Sequence, residues 1–412
     1  MDVKRYLTEI VLILGCIAVL GITSCFNDSY IVRSQLNAEQ IVRQASMLGI
    51  FAIGAAIVII AGGIDLSSGS MIAFGGAFCC MIMLTLSHWV APDVEDPTAG
   101  MPVWITGVAI LATLGVGFLV GTFHTWLITV VGLPPFVATL ASLVGLRSLA
   151  RIFSQAVTAA FDNRSTKINI SDKTFAVLGH SWYMPLLIFT VLAVAAWFLM
   201  NRTVVGRHLL AMGGNETAAR LSGIRTERLK WLAYCIGTLT ASIAGILYSS
   251  EVGSSDPQTQ GIGYELFAIA SAVVGGCSLK GGVGRITGVI LGALFLRVVM
   301  DAVGKLIGSG SDDYQGLIVG LLVVLAVAFN HLSSQAKGWT KQFFPGVLGW
   351  LAIVTLSVLT ALILISSMSK SASENGSLGY MLSIASGVGV FVVLTAWKLL
   401  VDFNPLSNSA KS

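Results

Sequence analysis

Charged side chains are scarce in this sequence. Asp, Glu, Lys and Arg make up 11% of its 412 residues, whereas a soluble domain holds about 25%. Hydrophobic residues reach 55% and the mean hydropathy is +0.85. This composition excludes an ordinary soluble globular domain and predicts an integral membrane protein.

The sequence also lacks the short patterns of catalytic and metal sites. It holds no HExxH, no GxSxG and no carboxylate pair placed for acid–base chemistry. The Walker A pattern GxxxxGK[ST] is missing as well, so any ATP must be used by another chain. The histidines are scattered: His88, His124, His180, His208 and His331. The cysteines show no CxxC or metal-ligand spacing and are interpreted as core residues: Cys16, Cys25, Cys79, Cys80, Cys235 and Cys277. We expect no enzyme, no metal site and no cofactor bound by this chain.

Long apolar runs fill most of the chain. A helix needs about 20 mostly apolar residues to cross a bilayer, and barrel strands would alternate every second residue, which these runs do not. Twelve spans are predicted, within one or two: 8–25, 44–62, 69–87, 103–131, 136–155, 184–200, 230–249, 264–279, 286–303, 315–330, 346–368 and 378–400. The predicted fold is an all-α polytopic bundle of about ten core helices plus a C-terminal two-helix hairpin.

Basic residues concentrate between alternate spans. With the N-terminus inside, the inside segments hold 14 of the 24 basic residues, and the positive-inside rule then predicts that both termini are cytoplasmic. The 14 are Lys4, Arg5, Arg202, Arg207, Arg220, Arg225, Arg228, Lys230, Lys280, Arg285, Lys337, Lys341, Lys398 and Lys411.

One apolar run, IVIIAGGIDLSSGSMIAF at 57–74, is interrupted by glycines, an aspartate and serines. The pattern GGxxLxxG occurs at 62–69 and again at 275–282. A broken helix at membrane depth is tolerated where it is buried in protein or lines a watery cavity. Matched breaks in two halves of a chain indicate an internal repeat and a pathway, although chance in a glycine-rich chain is the rival explanation.

The polar stretch 201–230 predicts a short helix on the inside face. Gly213 and Gly214 give a flexible approach, Asn215 is a favourable N-cap, Glu216 lies in the first turn, and Ser222-Gly223 supply the stop. A basic loop with a chance helical turn is the alternative.

Four segments carry a family resemblance: AGGIDLSSGS (61–70), LPPFVATLASLVGLRSLA (133–150), GRHLLAMGGNETAARLSGI (206–224) and GYELFAIASAVVGGCSLKGGVGRITGVILGAL (263–294). Together they resemble the permease subunits of bacterial ABC importers for monosaccharides, over about 44–330. The resemblance implies an inner-membrane permease dimer, a cytoplasmic ATPase pair that uses ATP, and an extracytoplasmic sugar-binding protein. Membrane lipid is a further expected partner, and nucleic acid is not.

The resemblance also implies roles for individual residues. The loop inserted into the ATPase would comprise Gly213, Gly214, Asn215, Glu216, Arg220, Leu221, Ser222 and Gly223. The substrate pathway would draw on Asp65, Ser67, Ser68, Ser70, Phe136, Thr139 and Ser278. For Asp65, contact with a sugar hydroxyl, capping of the next helix and pairing with a basic residue all stay open. LPPF is also explained as a turn between spans. Tyr264 and Glu265 are candidates for binding-protein docking or local capping.

The chain departs from the family twice. Phe267 stands where an acid usually follows YEL, and the chain continues beyond the usual end into two more apolar runs. We therefore divide it into an N-terminal transmembrane helix and outer loop (1–43), a permease core (44–335) and an extra hairpin and tail (336–412). We expect the hairpin to be a peripheral helix pair, with a partner-docking or regulatory role as the alternative.

Two other functions fit part of the pattern. An ion-coupled secondary transporter would also have broken helices and repeats, but it would have no use for the loop at 213–223. An ABC importer permease for another polar solute, such as a nucleoside, would share every motif. The sequence does not choose the sugar.

Overall fold

The computed structural model describes residues 7–92, 94–161 and 164–307, with scattered positions between 315 and 395. Within these ranges the chain is almost wholly helical, which confirms the all-α prediction. The elements are α1 (Leu7–Phe26), α2 (Asp28–Val32), α3 (Ser34–Ile60), α4 (Ser68–Val90), α5 (Val103–Thr129), α6 (Pro135–Ala159), β1 (Ile168–Asn169), α7 (Lys173–His180), α8 (Tyr183–Arg202), α9 (Val204–Gly214), α10 (Glu216–Leu221), α11 (Thr226–Val252), β2 (Ser254–Ser255), α12 (Tyr264–Val274) and α13 (Ile286–Ile307).

Eight of the described helices are long and apolar enough to cross a membrane: α1, α3, α4, α5, α6, α8, α11 and α13. This confirms a polytopic bundle. One end of the bundle, which we call the α10 end, carries α9 and α10. The other, the sheet end, carries the antiparallel pair β1 and β2. The contacts within the chain divide it into two compact units, residues 1–330 and residues 331–412. The first unit holds all these elements.

Helix α3 lies at the centre of the bundle. Of its most apolar stretch, 89% is buried inside the protein, against 17% for α1, although α1 is the more hydrophobic helix. Helices α8, α11, α12 and α13 pack around α3. Hydrophobicity alone therefore does not indicate which spans form the core, because lipid-facing helices are as apolar as buried ones.

Glycines at four-residue spacing let the central helices pack backbone to backbone. A Cβ on Gly121 would lie 2.7 Å from Cys235 Cα, and one on Gly245 would overlap the carbonyl oxygen of Ile72. Lipid provides little hydrophobic drive for helix association, so close backbone packing is a main source of stability here.

The predicted span 264–279 is wrong. Its helix, α12, has 11 residues and ends at Val274, about 16 Å at 1.5 Å per residue, too short to cross. Gly263 before it and Gly276 after it have positive φ, 75° and 91°, a conformation that favours glycine. The chain thus enters α12 from a loop and leaves it in the second break.

The N-terminal boundary also differs from the prediction. Helix α3 begins at Ser34, so the expected outer loop up to residue 43 is largely helical. A hydropathy window misses the first part of α3 because Glu39 and Arg43 are charged. Arg43 Nε lies 3.1 Å from Oε1 of Glu251 on α11. The predicted hairpin at 336–412 lies outside the described residues, and the predicted span 315–330 is described only in part.

Candidate functional site

The first break joins α3 to α4 through residues 61–67. Gly62 takes φ +85°, which turns the chain out of α3. Asp65 Oδ1 then accepts hydrogen bonds from the Ser67 amide at 2.8 Å and the Ser67 hydroxyl at 2.6 Å. This Asx-type turn precedes the first residue of α4. One carboxylate oxygen therefore holds Ser67, the residue before α4, and not the amides of α4 itself.

Buried hydroxyls surround this break. The Ser70 hydroxyl donates to the carbonyl of Ser67 at 2.8 Å, and Ser68 Oγ is buried without a partner among the described residues. Thr139 on α6 donates to the Ile64 carbonyl at 3.3 Å. Thus Ser67, Ser68, Ser70 and Thr139 gather beside Asp65.

Phe136 does not join this group. It lies on α6 near the helix start and is 50% exposed on the outside of the bundle. Pro135 is the first residue of α6, as LPPF predicts, because its fixed φ suits a helix start. The turn is therefore present, while the aromatic ring is half exposed and the hydroxyls beside Asp65 are buried.

The second break, 275–285, forms its own compact turn. The amide of Ser278 donates to the Val283 carbonyl at 2.9 Å, and the Gly281 amide donates to the Ser278 carbonyl at 2.9 Å. The Ser278 hydroxyl accepts from the Lys280 amide at 3.3 Å. Ser278 therefore belongs to this turn and not to the hydroxyl group around Asp65.

Both breaks lie at the α10 end. Phe51 of α3 stacks on Tyr264 at the start of α12, with ring centroids 6.0 Å apart. At the other ends of these helices, the amide of Gly282 donates to the Ile60 carbonyl at 2.9 Å. Helices α3 and α12 therefore run parallel, and the two GGxxLxxG segments share one orientation.

A close-packed set of glycines, which we call the glycine junction, links both breaks to the end of α9. It comprises Gly62, Gly213, Gly214, Gly281 and Gly282. A Cβ on Gly281 would lie 2.8 Å from Gly62 Cα, and one on Gly282 would lie 2.6 Å from Gly214 Cα. A Cβ on Gly213 would overlap the Ile60 carbonyl oxygen. Gly213 is therefore packed tightly and is not the flexible approach that the sequence predicts.

Helix α10 has the predicted caps. Asn215 Oδ1 accepts from the Ala218 amide at 2.9 Å, one of the amides that a helix start leaves unpaired. The helix spans Glu216–Leu221, and Gly223 at φ +82° follows its end. A short helix on the surface is thus encoded locally.

Ion pairs fasten α10 to the start of α11. Lys230 Nζ lies 2.6 Å from Glu216 Oε1, and Arg220 lies 3.7 Å from Glu216 and 3.5 Å from Glu227. Arg220 is largely exposed, so its pairs add little to stability. Leu221 is 85% exposed although its side chain is apolar.

Tyr264 and Glu265 are partly buried against neighbouring helices. Tyr264 packs against Phe51, Tyr248 and Phe267, and the Glu265 Oε2 atom is buried without a partner among the described residues. A Cβ on Gly69 would overlap that oxygen. This placement gives no support to the predicted docking surface, and it puts Glu265 beside the first break.

Arg147 clamps the loop that enters α12. Its guanidinium donates to the carbonyls of Pro257 at 3.0 Å, Gln260 at 2.8 Å and Gly261 at 3.1 Å. Arg147 lies midway along α6. The planar fork of arginine suits several carbonyls at once. An arginine in an apolar run is a functional signal by itself, although its partners are not visible in sequence.

Several ionisable groups outside the spans have pKa values that depart from their usual values, and two of them are informative here. Burial raises the pKa of the Cys277 thiol in the second break to about 12, so this cysteine stays protonated and unreactive. At the sheet end, the Thr98 hydroxyl and then Ser171 hold the pKa of the Asp96 carboxyl below its usual value.

Two buried groups that the sequence did not single out also face the first break. They are His124 on α5 and Tyr234 on α11. Each interrupts a mostly apolar span, which was the available signal.

Broken helices around buried polar groups, next to a surface helix at one end, are typical of a permease that passes a polar solute across a membrane. Residues 37–327 match the family described as the permease component of the branched-chain amino acid transport system. That match covers more than half of the chain, so the protein belongs to this family.

Curated relatives agree with this assignment. The ribose import permease protein RbsC of Haemophilus influenzae is 31% identical over 81% of this chain and 97% of its own length. RbsC of Bacillus subtilis is 32% identical over 78% of this chain and 92% of its own length. The L-arabinose transport system permease protein AraH of Escherichia coli is 34% identical over 71% and 81%, respectively. No solved structure matches the chain significantly.

Proposed function

We propose that this chain is the membrane-spanning permease subunit of an ATP-driven importer for a monosaccharide. A separate ATPase would dock on α10, and an extracytoplasmic binding protein would deliver the sugar. A second copy of the chain would complete the pathway, and lipid would surround the dimer. The chain itself would carry no catalytic site.

The observation that carries the proposal is the contact between the end of α9, which leads into α10, and both breaks. The glycine junction places the end of α9 directly against Ile60 and Gly282. Close-packed backbone is stiff, so displacement of α10 by an ATPase would move both broken segments together. Asp65, Ser67, Ser68, Ser70 and Thr139 would then supply the neutral hydrogen bonds of the pathway. Ser278 would act through the turn that it shapes.

The relatives support sugar as the solute, and the family description supports a second candidate. The relatives' names specify ribose and L-arabinose, and these proteins match most of this chain. The family's own description names branched-chain amino acids. Hydroxyl-rich walls around Asp65 favour the sugar, because an aliphatic amino acid would need an apolar pocket.

Native mass spectrometry on the protein expressed with its neighbouring genes tests the proposal. We expect two permease copies with two ATPase chains, and ATP-dependent uptake of a sugar held by the partner binding protein. A lone chain that takes up solute without ATP, driven by an ion gradient, would contradict the importer. Uptake of leucine but of no sugar would favour the second candidate.

We further propose that the α10 end is cytoplasmic and the sheet end extracytoplasmic. The basic residues at the α10 end support this orientation: Arg202, Arg207, Arg220, Arg225, Arg228, Lys230, Lys280 and Arg285. In the sheet-end loop, Glu95 and Asp96 are exposed.

Cysteine labelling tests the orientation. Cys25 is exposed and the other five cysteines are buried. The Cys25→Ser variant is therefore expected to show little labelling and serves as the background. In that background we expect Leu221→Cys to react with a membrane-impermeant maleimide only after cell lysis. The matched variant Glu95→Cys is expected to react in cells stripped of the outer membrane. The reverse pattern would invert the proposed topology.

A further inference from the structure

A cavity of about 300 Å³ opens at the α10 end. It lies between the first break, the start of α10 and the second break. Its lining includes Gly63, Gly213, Asn215, Lys230, Tyr234 and Lys280. Small-molecule sites begin at about this size.

Three buried polar side chains lie next to this cavity, and one of them, Tyr234, lines it. Asp65, His124 and Tyr234 are 3%, 0% and 2% exposed. The rings of His124 and Tyr234 are 6.3 Å apart, edge to face. The Tyr234 hydroxyl reaches the backbone of the first break, where a Cβ on Gly63 would lie 2.6 Å from it, and a Cβ on Gly237 of α11 would lie 3.5 Å from Asp65 Oδ2. Tyr234 belongs to the group and also lines the cavity, so the group adjoins the open space.

Most of the polar atoms in this group have no partner. Both ring nitrogens of His124 are buried without a hydrogen bond among the described residues, and the Tyr234 hydroxyl, which approaches the backbone of Ile64, makes no hydrogen bond of standard geometry there. Asp65 Oδ1 is used by Ser67, whereas Oδ2 receives no hydrogen bond from the described chain. Unpaired buried polar groups lower stability, so their retention points to a ligand.

We propose that Asp65, His124 and Tyr234 bind hydroxyl groups of the transported solute just before its release into the α10-end cavity. This inference rests on the function proposed above. The proposed site lies beyond the serines of the first break. Its ligand would be a neutral polyhydroxylated molecule.

The chemistry of the three side chains fits hydroxyls. A carboxylate accepts, a neutral imidazole donates from one nitrogen and accepts at the other, and a phenol does both. A hydroxyl likewise both donates and accepts. Asp65 would repel an anion, and the described residues contain no cluster suited to a metal ion. Water shares the hydroxyl chemistry, so the experiment must separate sugar from water.

The test uses the full importer complex in proteoliposomes with radiolabelled D-ribose, L-arabinose, D-xylose and D-galactose as probes. Tyr234→Phe removes one hydroxyl that makes no hydrogen bond of standard geometry among the described residues. We expect the maximal uptake rate to fall about tenfold, the equivalent of one lost hydrogen bond in a dry site. The half-saturating sugar concentration is expected to stay unchanged, because the binding protein sets it. The melting temperature is expected to stay unchanged or rise.

A second variant and a control complete the test. His124→Leu replaces the imidazole with an apolar side chain and is expected to act in the same direction. Tyr248→Phe removes a hydroxyl from the same helix, α11, at a distance from the cavity, and is expected to leave uptake intact.

Each other outcome is decisive. If the wild-type complex takes up none of the four sugars, the proposed function fails and this inference fails with it. If the wild-type complex takes up a sugar and both variants, Tyr234→Phe and His124→Leu, transport it at the wild-type rate, the proposed function stands. The site then binds water only, and the inference is wrong. If uptake and melting temperature fall together, the residues are structural and the inference is wrong.

Discussion

Gly213→Ala is expected to abolish coupled transport. The new Cβ would overlap the carbonyl oxygen of Ile60 and lie 2.5 Å from the amide nitrogen of Gly282. Both are backbone atoms, so neither can move aside by a rotamer change, and overpacking costs about 1–3 kcal/mol or more. We expect sugar uptake to fall to background, while ATP hydrolysis by the complex continues without transport.

Gly214→Ala is the matched control. It changes the adjacent residue of the same helix, and its Cβ would meet no atom within 4 Å. Alanine is favoured over glycine in a helix by about 1 kcal/mol, so this variant is expected to be as stable as the wild type and to transport normally. Equal loss in both variants, or normal uptake in Gly213→Ala, would show that the glycine junction does not transmit motion.

Arg147→Met is expected to destabilise the protein by several kcal/mol. It leaves three loop carbonyls, those of Pro257, Gln260 and Gly261, without their donor. Each unpaired buried polar group costs roughly 1–3 kcal/mol. Methionine keeps most of the side-chain volume, so the lost donors dominate. We expect a lower melting temperature in detergent and no sugar uptake.

Arg151→Met tests whether charge removal alone has this effect. Arg151 lies one turn further along α6 and is exposed, so its loss is expected to leave stability and uptake unchanged. Arg147→Lys should rescue Arg147→Met only partly, because one ammonium group cannot reproduce the planar fork. Wild-type stability in Arg147→Met would mean that the loop holds its shape without the clamp.

Features encoded over a few residues were predictable from the sequence. The N-cap of Asn215 on α10 and the start of α6 at Pro135 depend on neighbours within one turn. The break at 61–67 was also visible, because glycines and a carboxylate interrupt an apolar run. The sequence left the role of Asp65 open, because the choice depends on geometry. Only the fold shows that Asp65 Oδ1 accepts hydrogen bonds from Ser67.

The predicted span 264–279 shows why other features were not predictable. Its apolar run continues past Val274, so hydropathy gives one crossing helix. The loop before it is held by Arg147, more than a hundred positions away in the chain. No local pattern contains that information, because a hydrogen bond between distant segments depends on how the helices pack. The same limit explains why the sequence did not reveal the contact between Tyr264 and Phe51.

The sequence by itself determined the membrane class, the helical bundle, the two breaks and the capped helix α10, because composition, hydrophobic run length and capping act locally or additively. Tertiary structure alone decided that α3 lies at the centre, that the two breaks meet the end of α9 in the glycine junction, and that His124 and Tyr234 join Asp65. These depend on how closely glycine-lined helices approach one another. In lipid that approach is set by shape and not by hydrophobicity.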